Sequence, residues 1–112
     1  MMEATDKFGS FHEAFILGIR REHGSISILL ENIHVNDEVR NGCVHLRNVT
    51  QITRDDSPVD EMTMEEPDGE VLTLTTSPGA VCLIVEWKDY KHHRKTTRAY
   101  DIACEAIEVE VT

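Results

Sequence analysis

A chain of 112 residues with a formal net charge of −10 has the length of one domain, and its 40% hydrophobic and 29% charged residues exclude a disordered chain. The negative charge argues against general binding to DNA or RNA, which needs clustered cations and a favourable long-range field. No run reaches the roughly 18–20 apolar residues of a membrane helix, and MMEATDKFGSFHE lacks the basic and apolar parts of a secretory signal, so a cytoplasmic protein is expected.

Ser10-Phe11-His12-Glu13 fits a capping box. The FILGI that follows alternates and contains Gly18, so a strand outweighs a helix there, with Phe15, Leu17 and Ile19 on one face. His12 reads as a structural residue at the strand entrance, its ring bonded to nearby backbone. His23-Gly24 is a turn. Ile26, Ile28 and Leu30 repeat with period two, and Ile33 and Val35 continue with the opposite parity, which predicts a bulge or a break. Asn41-Gly42 is a strong short hairpin signal, and Val44, Leu46, Val49 and Ile52 follow it. His45, between Val44 and Leu46, faces outward.

Residues 55–70, DDSPVDEMTMEEPDGE, form an irregular middle with Asp68-Gly69 as a turn pair. Met62 and Met64 share a parity that fits one short strand. In VLTLTT, Leu72 and Leu74 oppose Thr73 and Thr75. Ser77-Pro78-Gly79 is a turn, and AVCLIVEW, apolar on both faces, suits a central strand. EWKDYKHHRKTTRAY then reads as a hairpin bracketed by Trp87 and Tyr100, its Lys88, Lys91, Arg94 and Lys95 in water or paired with the acidic stretch. In the closing segment Tyr100, Ile102 and Cys104 are even while Ile107, Val109 and Val111 are odd, which a bulge near Glu105-Ala106 would reconcile. About seven strands with little or no helix predict a single all-β domain, an antiparallel sandwich or partly open barrel.

No P-loop, GxSxG, HExxH or dinucleotide fingerprint is present, and nothing in sequence selects a Ser-His or Cys-His pair. The six histidines lack zinc-ligand spacing, and Cys43, Cys82 and Cys104 form no CxxC; no metal, cofactor or disulfide is expected. The most unusual feature is acidic: Asp55, Asp56, Asp60, Glu61, Glu65, Glu66, Asp68 and Glu70, with no Lys or Arg among them. A solvated loop accounts for such a run. So does a docking surface for a basic protein, with the flexible thioethers of Met62 and Met64 as an apolar spot inside an acidic rim.

FHEAFILGI, DGEVLTL, LIVEWKDY and AYDIACEAIEVEV together resemble small bacterial β proteins in which a Phe-His-Asp/Glu entry precedes the first strand. Some such families are immunity proteins of polymorphic-toxin and contact-dependent inhibition systems. The resemblance implies a non-enzymatic inhibitor that occludes a basic toxin domain, and it brings no catalytic residues. Two other readings stay open: a small-ligand or carbohydrate-binding module using Trp87, Tyr90 or Tyr100, and an enzyme built on His12 and Glu13 or on His92 and His93.

Overall fold

A computed structural model describes residues 11–35 and 37–112. Nine strands follow one another: β1 (Phe15–Glu22), β2 (Ser25–Val35), β3 (Glu38–Arg47), β4 (Gln51–Arg54), β5 (Ser57–Val59), β6 (Asp68–Ser77), β7 (Ala80–Asp89), β8 (Arg94–Ala103) and β9 (Ala106–Val111). All pair antiparallel in one sheet, ordered β5-β4-β8-β7-β6-β1-β2-β3-β9. The all-β expectation holds, as a single open sheet. Among the described residues no helix is long and apolar enough to cross a membrane.

Chain continuity bends this sheet back on itself. β3 leads into β4 and β8 into β9 through connections of three and two residues, yet β3 and β9 lie at one end of the order and β4 and β8 near the other. The corner is held by Thr50 N donating to Ala103 O at 2.9 Å, Glu105 N to Arg47 O at 2.9 Å and Cys104 N to Gly79 O at 3.0 Å. Bending encloses one face. The alternating residues Ile26, Ile28 and Leu30, Val44 and Leu46, Val81, Leu83, Val85 and Trp87, and Tyr100 and Ile102 are all buried there. Cross-strand pairs such as Ile28 with Val44, Val44 with Val109, and Val81 with Ile102 join the rows.

Among the described residues nine strands stand where about seven were expected. The irregular middle contains β5, the tail divides into β8 and β9 instead of bulging, and Met62 and Met64 lie outside any strand. The parity of the first strand is also corrected. Register slips between Ile16 and Gly18, so Ile16 is buried and Leu17 is 53% exposed. A similar slip between Val71 and Thr73 buries Val71 beside Leu74 and leaves Leu72 half-buried. The parity switch within β2 is a bulge, as expected, with Asn32 at φ +65° between Leu30 and Ile33. The capping-box Ser10 lies outside the described residues, and Phe11–Ala14 make a turn rather than a helix.

Two turn assignments are overturned. Asn41-Gly42 and Asp68-Gly69 lie inside β3 and β6. The β2–β3 connection instead falls between Val35 and Glu38, with Asp37 at φ +67°. Packing explains both glycines. A Cβ on Gly69 would sit 2.5 Å from the Trp87 ring, and one on Gly42 would collide with the Glu110 carbonyl of β9. Here glycine marks close approach, not a turn. The hairpin that goes unannounced in the sequence is β4–β5, where Asp55 and Asp56, at φ +53° and +67°, make a two-residue turn with the primed geometry that suits strand twist.

Candidate functional site

The Asp55-Asp56 turn brings the start of the acidic stretch over β8. Asp55 accepts twice, from Ala99 N at 2.9 Å and from Arg98 Nη1 at 2.9 Å. The backbone bond first, and the guanidinium second, hold its carboxyl below the usual range. Arg98 Nε also donates to Glu65 at 3.0 Å, and Arg54 lies 3.7 Å from the same carboxylate. The other Glu65 oxygen accepts from the Tyr100 hydroxyl at 2.7 Å, which in turn accepts from Trp87 Nε1 at 2.9 Å. Burial, then the Glu65 carboxylate, pushes the Tyr100 phenol up, so it stays a donor. A chain of bonds thus runs from the buried indole to the surface at Arg98 and Asp55.

The rest of the stretch is fastened to two more strands. On β1, Arg21 reaches Glu61 at 3.0 Å and the Asp60 carbonyl at 2.9 Å. On β7, Lys88 donates to Glu70 at 2.6 Å, with both side chains less than one-fifth exposed and the ammonium 5.8 Å from the Phe15 ring centroid. Of the two places expected for Lys88, water or the acidic stretch, it takes the second. Its hydrogen bond to Glu70 raises its pKa, and a hydrogen bond to Asp68 raises that of Tyr90.

The ten residues expected to meet a partner divide sharply. Met62 is 4% exposed and belongs to the core, and Met64 packs half-buried against it, so the apolar spot inside an acidic rim is corrected for Met62. Glu65, Asp68 and Glu70 are half-buried and bonded internally. Asp55, Asp56, Asp60 and Glu61 are exposed, and all four flank β5, the terminal strand of the sheet. The carboxylates of Asp56 and the half-buried Glu66 make no hydrogen bond or ion pair among the described residues.

The basic segment is the β7–β8 hairpin, as expected. Asp89 accepts from the His92 ring at 2.7 Å and from His92 N at 3.2 Å, which closes the turn and lowers the Asp89 pKa. His12 anchors the chain entry as expected, its Nδ1 donating to Leu72 O at 2.7 Å. Trp87 and Tyr100 are each 1% exposed and so offer no stacking surface to a ligand, whereas Tyr90 is 67% exposed.

A second polar cluster lies on the outward face of β2, β3 and β9. The Ser27 hydroxyl and His45 Nδ1 are hydrogen-bonded at 2.8 Å, and His45 Nε2 lies 3.2 Å from a Glu110 carboxylate oxygen. Sequence reasoning placed His45 outward but did not join these three. Each alternates with core residues, so its face was readable; the adjacency of β2, β3 and β9 was not. Among the described residues no group of three or more His, Cys, Asp or Glu side chains is placed to hold a metal ion. The chain matches no protein-family model, no curated protein and no solved structure.

Proposed function

We propose that the chain is a binding protein that captures a basic protein partner through the acidic edge at β5, acting as an immunity protein that occludes a basic toxin domain. One observation carries the reading: Asp55, Asp56, Asp60 and Glu61 are exposed together around a terminal strand. The cations nearest them, Arg21, Arg54 and Arg98, are already paired with carboxylates. Internal pairs cancel locally, and the unpaired carboxylates set the sign of the field a partner meets.

Strand addition at this edge is disfavoured, because β5 is three residues long and contains Pro58, which has no N–H to donate. The contact is therefore made by side chains. Carboxylates engage Lys and Arg residues that would otherwise hold substrate phosphates, so capture is fast and weakens with salt.

The test is calorimetric titration against the C-terminal domain encoded by the adjacent gene, at several salt concentrations. The double reversal Asp56→Lys with Asp60→Lys touches no internal carboxylate bond among the described residues, and it is expected to weaken binding about tenfold or more and flatten the salt dependence. Binding and salt dependence equal to wild type would defeat the acidic-edge reading.

A further inference from the structure

The outward face of β1, β2, β3 and β9 holds a basin of about 620 Å³ lined by Arg20, Ser25, Ser27, Cys43, His45 and Glu110 among others. Its origin lies in the ladder. Arg20, Ser27, His45 and Glu108 form one row across the four strands, and Gly18, Leu29, Cys43 and Glu110 form the next. Ser25, Ser27 and Cys43 on the inner strands leave the space, and Arg20 on β1 and Glu110 on β9 bound it on either side.

The imidazole in this basin is directional. With its proton on Nε2, beside the Glu110 carboxylate oxygen 3.2 Å away, His45 leaves the Nδ1 lone pair for the Ser27 hydroxyl. That is the order of nucleophile, base and orienting acid used in acyl transfer, with the two ring nitrogens exchanged. Cys43 Sγ, 3.8 Å from the same Nδ1, is the competing nucleophile. Burial first and the Glu110 charge second push its thiol pKa up, so it stays protonated.

We propose that Ser27, His45 and Glu110 form a hydrolytic centre for short-chain carboxylic esters, independent of the acidic edge. Ser27 Oγ attacks the carbonyl carbon while its proton passes to His45 Nδ1. The carbon–oxygen bond to the leaving alcohol then breaks, and His45 returns the proton to that alkoxide. Water repeats the sequence on the acyl-serine, giving the carboxylic acid and free Ser27. The backbone amides beside Ser27 and His45 are engaged in strand pairing, so positive charge for the carbonyl oxygen must come from a side chain. Of the two arginines lining the basin, Arg47 is held by Glu108, while Arg20, opposite Ser27 on β1, has no ion pair among the described residues.

The test is covalent labelling of the full chain with a fluorophosphonate, mapped by mass spectrometry, alongside p-nitrophenyl acetate hydrolysis. An adduct on Ser27 is expected. Ser27→Ala abolishes it, His45→Asn slows it about 100-fold, and Glu110→Gln, at an exposed side chain, slows it by a smaller factor. Ser77→Ala, an exposed serine at the end of β6 and outside the basin, leaves the rate unchanged. Circular dichroism checks that each variant is folded. An unlabelled Ser27, labelling confined to Cys43, or a rate indifferent to both His45→Asn and Glu110→Gln would overturn the proposal and leave a polar ladder on a solvated face.

Discussion

Trp87 Nε1 donates to the Tyr100 hydroxyl at 2.9 Å inside the β7–β8 pair, and both residues are 1% exposed. The hydroxyl does two jobs, because it also donates to Glu65 at 2.7 Å. Large aromatic bodies fill the core here; the indole N–H is satisfied by the phenol, and the phenol by Glu65 from a segment with no regular structure of its own. The interior of the sheet and the placement of residues 60–67 are thereby tied together.

Tyr100→Phe tests that tie. It preserves ring packing but leaves the buried Trp87 N–H without an acceptor and removes one donor from Glu65. Such a deletion costs about 1–3 kcal/mol. Urea unfolding followed by Trp87 fluorescence should show the loss as a lower midpoint at unchanged slope. An unchanged midpoint would mean that water replaces the hydroxyl at no cost.

Met62→Ala separates a core residue from a surface one. At 4% exposure, loss of the thioether and its methylenes should destabilise the fold by about 2–5 kcal/mol in chemical denaturation. A docking side chain displayed to solvent would cost almost nothing to truncate, so an effect under about 0.5 kcal/mol would return Met62 to the surface.

Gly69→Ala is expected to cost about 1–3 kcal/mol through overpacking, since the added methyl meets the Trp87 ring at 2.5 Å. Thermal unfolding should show the loss, and the Trp87 emission should shift as the ring is displaced. Ala at an ordinary β position would instead be neutral or slightly favourable.

The contrast between Gly69 and Asp55-Asp56 shows where the sequence was legible. Alternation is a local property of the strand, so the period-two row of Ile26, Ile28 and Leu30 is legible in the sequence and buried in the fold, and even the bulge before Ile33 is visible as a parity switch, whereas AVCLIVEW, apolar on both faces, does not show which of its faces is enclosed. Glycine is ambiguous, because it serves both positive φ and close approach, and only the position of Trp87 or Glu110 decides between them. Likewise the run of carboxylates was evident, but which of them are paired internally depends on which cations the folded strands supply. Arg21, Lys88 and Arg98 come from three strands distant in sequence. Ser27, His45 and Glu110 met for the same reason, through strand order that no local pattern encodes.

The Asp55 carboxyl makes the turn over β8 sensitive to acid. Its pKa is lowered in the folded protein, first by the Ala99 amide and then by Arg98, whereas in the unfolded chain it titrates near the ordinary value of about 3.9. The unfolded state therefore binds more protons between those two values, and stability rises with pH across that window. The contribution is fully present above about pH 4, relative to that ordinary value, and is lost as pH falls through the folded value. Asp55→Asn keeps an oxygen for the Ala99 amide but removes the charge facing Arg98. The difference in urea midpoint between wild type and variant should be constant near neutral pH and shrink as pH falls below about 4. A difference that persists undiminished at low pH would place the effect in the geometry of the Asp55-Asp56 turn rather than in the charge.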